Sequence, residues 1–441
     1  MTEPGDWRNS LEPKIADEIE HIVGAFRDAP DGGREIKVVP TGNGGVDHMY
    51  AEGEILIREE HFARVLEVLG HPSQQDLERD EPGRIRRVLA GFVLLTLGDP
   101  NPSVPEALDL VDQRLGRGIA TPNHVLTVAG EGEPTSCPAT EPEEVYHGIE
   151  PYPSACRDDG GRGVLIYMAD TGLLRDADTH PWLEGVRVED SARDYDPPTP
   201  LAGSQPAIPP YAGHGTFVAG VLRAVAPAAD IIVTNAFSVA GSQLESDLVA
   251  RLETALRFGV DIFHLTIACV SRNDLPLIAF REWLNRLNEC KGAVCVAAAG
   301  NSATRRPSWP AAFSDVVSVG ALGGDWHGRA TFSNYGPWVD VYAPGRDIIN
   351  AYATGTYTCH VSPYVGQIRN FYGMAKWSGT SFSAPIVTGL IAARMSRTGE
   401  NARQATEALL AEARAQAIPG VGAVLLPRSR AFSRPNAEAA P

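Results

Sequence analysis

Short apolar runs alternate with amphipathic stretches after about residue 160, and this rhythm constrains the fold more than any other feature of the chain. The runs that we interpret as strands lie at 164–168, 231–235, 261–268, 293–299 and 316–322. Between them, stretches such as LESDLVARLETALRFG and PLIAFREWLNRL carry apolar residues at helical spacing. Because strands buried on both faces read as continuous apolar runs, this alternation predicts a mostly parallel central sheet flanked by helices, an α/β fold.

The first 130 residues follow a different pattern. An amphipathic helix is expected from Leu11 to Phe26. After it we expect a strand at 54–57, a helix at 62–69, one long buried strand at 88–97, a helix around Leu108 and a last strand at 124–128. This order is compatible with a ferredoxin-like split βαβ unit, so a smaller α+β domain is predicted ahead of the α/β domain.

The join between the two regions is rich in Gly, Pro, Glu and Ser, as linkers are. We therefore assign residues 1–130 to an N-terminal α+β domain, 131–160 to a linker and 161–426 to the α/β domain. Residues 427–441 are expected to form a disordered tail.

Composition narrows the possible functions. The formal net charge of −17 argues against a nucleic-acid binder, because neutralising phosphates needs a basic surface. No apolar run is long enough to span a membrane, which takes about 18 residues or more, and the acidic N-terminus lacks the apolar segment of a secretory signal. We therefore expect a chain of the cytoplasm, or one exported by another route, that does not bind membranes.

Six cysteines fit neither a dense disulfide framework nor a zinc site, since no C-x-x-C pair occurs. In a chain without a signal segment, reduced thiols are expected. Disulfides between Cys137 and Cys156, or between Cys290 and Cys295, are the alternatives.

Four short motifs stand at the ends of predicted strands or the starts of predicted helices, where open α/β sheets place their active sites. They are MADTGL (168–173), GHGTFVAG (213–220), AAAGN (297–301) and SGTSFSAP (378–385). A serine hydroxyl is a weak nucleophile unless an adjacent base removes its proton, which makes Ser381 and His214 a candidate pair. The Asp-Thr-Gly around Asp170 also occurs in aspartic proteases, but their chemistry needs two such carboxylates and no second D-[ST]-G is present.

Together the motifs resemble the subtilase family of serine proteases, over roughly residues 145–425, and the chain order Asp, His, Ser is the order of that family. The resemblance implies a subtilisin-like fold and a serine endopeptidase that works through an acyl-enzyme. It implies Asp170, His214 and Ser381 as the catalytic triad. It also implies that the Asn301 side chain donates to the oxyanion together with the backbone N–H of Ser381.

The sequence departs from the family where substrate and calcium are usually bound. The segment expected to pair with an extended substrate contains Leu265, Thr266, Ile267 and Ala268, where the family usually shows Ser and glycines. The preference of the specificity pocket is therefore not carried over. In VLRAVAPAADI the loop that forms the strong calcium site of many subtilases is absent. We thus expect no metal ligand and no required cofactor, with calcium binding left open.

The resemblance also bears on the N-terminal domain, because subtilases are often preceded by a ferredoxin-like prodomain. It implies that residues 1–130 bind the active-site cleft in cis; the alternative is a permanent recognition domain. Besides an endopeptidase acting on proteins or peptides, two functions stay open. One is a catalytically silent subtilase fold that binds partners, and the other is a protease dedicated to maturing one peptide.

Overall fold

The computed structural model of the chain describes residues 7–29, 32–98, 102–128, 139–154, 159–189, 194, 206–237, 240–290, 292–360 and 363–427. Two predictions fall on residues outside this set. They are the tail at 427–441, of which only Pro427 is described, and the pairing of Cys137 with Cys156.

The N-terminal part is an antiparallel sheet with helices. Its elements are α1 (Pro13–Arg27), β1 (Ile36–Pro40), β2 (Val46–Arg58), α2 (Phe62–Val68), α3 (Gln74–Asp80), β3 (Ile85–Leu89), β4 (Phe92–Thr96), α4 (Val104–Leu115) and β5 (Ala120–Thr127). The strands pair in the order β5-β2-β4-β3, with β1 joined to β2. Helices α2 and α3 link β2 to β3, and α4 links β4 to β5, which is the predicted split βαβ order.

The prediction of one long strand at 88–97 is wrong in detail. The chain turns at Ala90–Gly91, and β3 and β4 pair as an antiparallel hairpin. Gly91 has a φ of +91°, a left-handed conformation that glycine adopts without steric cost. An apolar run does not reveal such a turn, because Val88 and Leu89 at the end of β3 and the first four residues of β4 are all buried.

The second part holds the remaining elements. They are β6 (Leu165–Asp170), β7 (Val186–Val188), β8 (Ala207–Ile208), α5 (His214–Val225), β9 (Asp230–Asn235), β10 (Ser242–Leu244), α6 (Glu245–Ala255), β11 (Ile262–Leu265), α7 (Ile278–Glu289), β12 (Val294–Ala298), β13 (Val316–Leu322), β14 (Val341–Pro344), β15 (Ile348–Thr358), β16 (Ile368–Trp377), α8 (Thr380–Thr398) and α9 (Ala402–Ala415).

Seven of these strands form the predicted parallel sheet, in the order β14-β13-β12-β11-β6-β9-β7. Side chains alternate across it. Ile166 and Met168 of β6 pack with α5, α8 and α9 on one face, whereas Tyr167 and Ala169 pack with α6 and α7 on the other. Since every strand runs in the same direction, their carboxyl ends meet at one edge, where the predicted motifs lie.

A β-hairpin, β15 and β16, follows the parallel sheet and is joined by β8. Its inner side chains, among them Tyr352, Phe371 and Trp377, belong to the same apolar cluster as α5 and α8. The stretch after residue 345 is therefore packed onto the domain rather than solvated on both faces.

Cys290 and Cys295 are both reduced thiols, so no disulfide joins them. Within the described part of the chain, no helix has the length and apolar character that crossing a bilayer demands.

Candidate active site

Two of the predicted catalytic side chains are in direct contact. Asp170 is the last residue of β6, and His214 is the first residue of α5. Nδ1 of His214 donates a hydrogen bond to Oδ1 of Asp170 at 2.7 Å, and both side chains are fully buried. Because Nδ1 donates in this bond, Nε2 is the acceptor nitrogen whenever the ring is neutral, and no atom of the described residues bonds to it.

The Asp170 carboxylate has two further donors. The backbone N–H of Thr171 donates to Oδ1 at 2.7 Å, and the hydroxyl of Thr266 donates to Oδ2. Burial alone would raise the pKa of Asp170, but the charge of His214 and the hydrogen bonds from these partners outweigh it and hold that pKa below its ordinary value. The side chain is therefore ionised at neutral pH.

Ser381 is buried at the second position of α8. The first N–H groups of a helix have no partner within the helix, and the helix dipole favours negative charge there. The backbone N–H and the hydroxyl of the preceding Thr380 both donate to Oδ1 of Asn301, each at 2.9 Å. These two bonds orient the Asn301 amide, so that Nδ2 is the arm that can donate in another direction.

The two sequence neighbours of Ser381 contact Asn301 and His214. Thr380, on one side in sequence, is bonded to Asn301, and the ring of Phe382, on the other side, lies 5.7 Å from the ring of His214. The fold thus gathers the four residues predicted as triad and oxyanion donor around the start of one helix.

Gly300 holds the turn that carries Asn301. Its φ is +96°, and a Cβ there would lie 2.6 Å from Nδ2 of Asn334 and 3.5 Å from the Cβ of Ala268. A side chain is excluded at this position, and the segment of Ala268 is in van der Waals reach of the Asn301 turn.

Three supporting residues had no sequence signal for their roles. Asp194 accepts hydrogen bonds from the N–H of Gly213 at 2.5 Å and the hydroxyl of Thr171 at 3.0 Å, next to both Asp170 and His214. Burial raises its pKa well above the ordinary range. Asp194 lies in an Asp-rich loop, where a carboxylate is expected to be solvated, so the pattern gave no indication of burial.

The other two are Thr266, which binds Asp170 with its side chain, and Trp377, whose ring lies 5.9 Å from that of His214. The sequence predicts Thr266 as part of the substrate-binding segment and does not predict that its hydroxyl binds Asp170. Trp377 ends a β-strand four residues before Ser381, and only the packing of the hairpin onto α5 reveals its position.

The segment predicted to bind substrate lines a cleft that the N-terminal part occupies. The N–H of Thr127 donates to the carbonyl of Ala268 at 3.2 Å, and the N–H of Ala268 donates back at 3.0 Å. The N–H of Val128 donates to the carbonyl of Gly241 at 2.9 Å, and β5 pairs antiparallel with β10. The end of the N-terminal part therefore lies as a strand between two edges of the second part, which is the β-augmentation mode of peptide binding.

The side chains of the other segment residues point elsewhere. Leu265 and Ile267 are fully buried in the apolar cluster around α6 and α7. The Thr266 side chain binds Asp170. Of these four residues, Ala268 is the one whose backbone pairs with the strand in the cleft, through Thr127. A role of these residues in substrate binding stays a prediction.

Polar contacts also join the two parts beside the cleft. Asp247 of α6 accepts from Arg34 at 3.0 Å and from Arg86 at 2.8 Å. His124 of β5 is buried, with Nδ1 3.5 Å from a carboxylate oxygen of Glu245, at the start of α6. Burial lowers the pKa of His124 well below its ordinary value and raises that of Glu245 to about 8, so this contact is not an ion pair at neutral pH. The N-terminal sheet is thus attached to the second part by the ion pairs of Asp247 as well as by β-pairing.

The connection from α5 to β9 is short, running from Val225 to Asp230, in keeping with the missing calcium-type loop. Among the residues that the structure describes, no three or more His, Cys, Asp or Glu side chains are grouped so that they could hold a metal ion.

The chain is similar in sequence to known proteins. The sequence profile of the subtilase family matches residues 161–423. The thermophilic serine proteinase of Bacillus sp. (strain AK1) is 28% identical over 403 residues, which are 85% of this chain and 84% of that protein. Thermitase of Thermoactinomyces vulgaris is 30% identical over 260 residues, 56% of this chain and 81% of thermitase.

Among solved structures, fervidolysin from Fervidobacterium pennivorans, a keratinolytic enzyme related to subtilisin, superimposes with a TM-score of 0.54 at 20% identity. The match covers 86% of this chain and 60% of fervidolysin, and at this identity it supports the fold alone. The family profile spans more than half of the chain, and the chain therefore belongs to the subtilase family of serine proteases.

Proposed function

We propose that the chain is a serine endopeptidase in which Asp170, His214 and Ser381 form the catalytic triad. The observation that carries this proposal is the hydrogen bond between the buried Asp170 and His214. Ser381 is buried at the start of α8, and the ring of the next residue, Phe382, packs against that of His214. Membership of the subtilase family supports the reaction class, and the geometry supports the assignment of roles to individual residues.

In this mechanism Nε2 of His214 takes the proton of Ser381 as Oγ attacks the carbonyl carbon of the scissile peptide bond. The ionised Asp170 stabilises the imidazolium without taking its proton. The oxyanion receives hydrogen bonds from Nδ2 of Asn301 and from the backbone N–H of Ser381 at the start of α8. His214 then gives the proton to the leaving amine, and water hydrolyses the acyl-enzyme by the same steps in reverse order.

Labelling with a fluorophosphonate probe tests the triad and separates it from a catalytically silent binding module. Wild-type protein is expected to label, and Ser381→Ala and His214→Ala are expected to lose labelling. Ser383→Ala is the matched control, because Ser383 is a buried serine of the same helix, two residues further on. Equal labelling of Ser381→Ala and wild type, or no labelling of wild type, would contradict the proposal.

We also propose that the N-terminal domain inhibits the enzyme in cis. Support comes from the three backbone hydrogen bonds that Thr127 and Val128 make with Ala268 and Gly241, where an extended substrate would pair. A substrate cannot form the same ladder until this strand leaves. The bonds sit a short distance from Asn301, since Ala268 neighbours Gly300.

Incubating the purified chain and sequencing the N-terminus of each product tests this second proposal. Processing between the two parts is expected to accompany the rise of activity, and Ser381→Ala is expected to stay intact. A chain that remains intact and is fully active would rule out an inhibitory domain and favour a permanent recognition domain.

Cleavage of a peptide library distinguishes a general endopeptidase from a protease dedicated to one peptide. Ile267 and Cys269 depart from the Ser and glycines usual in the family, but both side chains are buried in the apolar cluster around α6 and α7, so they do not by themselves restrict the substrate. Cleavage after many different side chains would count against a dedicated role.

A further inference from the structure

Two aromatic rings contact the imidazole of His214 and a third packs on both of them; we call Trp377, Phe382 and Phe217 the aromatic enclosure. The Trp377 ring meets the His214 ring at 5.9 Å with an interplanar angle of 81°, an edge contact. Phe382 meets the same ring at 5.7 Å. Phe217, one turn after His214 on α5, packs on both of the others, at 5.6 Å from Trp377 and 4.5 Å from Phe382.

Trp377 is the member of the enclosure that is anchored from outside. Its indole N–H donates to the carbonyl of Thr140 at 2.5 Å, and its ring also packs on Tyr352 at 5.5 Å. Thr140 belongs to the 139–144 strap, the segment that runs beside the end of β16. The strap is bonded on both sides of Trp377, because Glu143 exchanges two backbone hydrogen bonds with Lys376 and Ala139 donates to the carbonyl of Ser378.

The strap is held by buried polar contacts as well. The Glu141 carboxylate accepts from the hydroxyl of Tyr357 at 3.1 Å and from the N–H of His360 at 2.5 Å. The guanidinium of Arg369 donates to the carbonyl of Pro142 at 2.6 Å. With this many anchors the strap behaves as part of the catalytic domain, and the indole that it holds has one defined position.

A single hydrogen bond to Asp170 does not fix the plane of the His214 ring. The χ2 torsion of a histidine is broad, and a combined change of χ1 and χ2 can turn the ring about the line from Nδ1 to Oδ1 of Asp170, which keeps that bond and moves Nε2 away from Ser381. Neighbours packed against the ring remove this freedom. A displacement of about 1 Å between reacting groups costs on the order of 10²-fold in rate. Packing that fixes the position of the His214 ring is therefore expected to affect kcat.

We infer that Trp377, tethered by the strap through Thr140, is a positioning residue that holds the His214 imidazole in the plane required for proton transfer from Ser381. The inference rests on the proposed triad. It assigns a kinetic role to the hairpin β15–β16 and to the strap, and neither of these contributes a reacting group.

The test compares Trp377→Leu, which removes the aromatic edge, with Trp377→Phe, which keeps an aromatic ring and loses the N–H bond to Thr140 together with the second ring of the indole. Both are assayed as the full chain on a peptide substrate, with kcat expressed per site titrated by the fluorophosphonate probe. Trp377→Leu is expected to lower kcat by about 10- to 100-fold with KM changed less than about threefold. Trp377→Phe is expected to recover kcat to within about fivefold of wild type.

Trp326→Leu is the control for loss of a buried indole. Trp326 is 6% exposed against 3% for Trp377, and its ring stacks on Tyr152, not on a catalytic residue. Its kcat per titrated site is expected to equal that of wild type. The inference is overturned if the kcat of Trp377→Leu is within twofold of wild type, or if this variant changes KM rather than kcat. It is also overturned if Trp377→Phe or Trp326→Leu loses as much kcat as Trp377→Leu. Failure of wild type to label would instead overturn the triad itself.

Discussion

Replacing Thr266 with valine removes one hydrogen-bond donor from the Asp170 carboxylate and preserves the shape of the side chain. Thr266 is buried directly after β11, and its hydroxyl donates to Oδ2 of Asp170, which is fully buried. No water can reach the vacated oxygen easily, because the surrounding side chains of β6 and β11 are packed on both faces. The variant therefore leaves an ionised carboxylate with one donor fewer in the interior.

The expected cost follows from the charge of the acceptor. A hydrogen bond to a charged group contributes roughly 1.5–3 kcal/mol, so the free energy of unfolding at neutral pH should fall by about that amount. Because the lost bond favoured the ionised carboxylate, the pKa of Asp170 should rise in the variant.

The pH dependence has a definite sign. The pKa of Asp170 is lower in the folded protein than in the unfolded chain, so the ionised group stabilises the fold above the unfolded value of 3.8, and this contribution is lost as the pH falls through the folded pKa. Thr266→Val raises the folded pKa and so loses part of that contribution. Its difference from the parent should be largest at neutral pH and should shrink below pH 4.

Urea unfolding followed by tryptophan fluorescence at pH 7 and at the lowest pH that keeps the fold measures both effects. Ser381→Ala is the parent, because it prevents self-digestion. Thr266→Ser is the matched control: it keeps the hydroxyl and loses a methyl group, at a cost of about 1 kcal/mol that does not depend on pH. The reasoning is refuted if Thr266→Val stays within 0.5 kcal/mol of the parent at pH 7, or if its loss is equal at both pH values.

Three further predictions concern the same region. Asn301→Ala should lower kcat by about 10²- to 10³-fold with little change in KM, measured on a peptide substrate; an unchanged kcat would remove Asn301 from the oxyanion site. Gly215→Ala should cost about 3 kcal/mol in urea unfolding, because its Cβ would lie 2.2 Å from the carbonyl oxygen of Gly172, whereas Gly328→Ala, with open space around it, should be neutral. Asp194→Asn should become more stable relative to wild type as the pH rises from 4 to 8 in thermal unfolding, because a raised folded pKa costs stability at higher pH; parallel pH curves would contradict this.

The parallel sheet was predictable because its signal is local. Strands covered on both faces are continuous apolar runs, and each predicted run from 164–168 to 316–322 corresponds to a strand of the sheet. The hairpin of β3 and β4 was not predictable by the same rule, since its turn lies inside one apolar run. The hairpin of β15 and β16 lacked a clear pattern, because its burial depends on contact with α5, which is far away in the sequence.

The proposed reacting groups were predicted from motifs, whereas the residues that contact them were not. Asp170, His214 and Ser381 carry short flanking patterns that occur together for chemical reasons. The contacts of Asp194, Thr266 and Trp377 are tertiary, since each joins segments separated by long stretches of chain. The contact of a threonine hydroxyl or of an indole edge produces no repeating pattern in the sequence. Only the fold therefore shows that these residues contact the proposed triad.

The end of β5 that lies in the cleft, with Thr127 and Val128, is the cleft strand. The cleft strand should affect KM and the aromatic enclosure should affect kcat, so their roles can be separated in one protein. The three backbone hydrogen bonds of Thr127 and Val128 contribute roughly 1 kcal/mol each, or about 3 kcal/mol together, which corresponds to about a 100-fold preference for the closed cleft. Such an equilibrium reduces the apparent affinity for substrate by the open fraction and leaves the chemical step unchanged, so it raises KM. Loss of the Trp377 edge acts only after substrate is bound, so it lowers kcat. A substrate that saturates the intact chain therefore reports on His214 and its enclosure alone, because at saturation the cleft strand has been displaced.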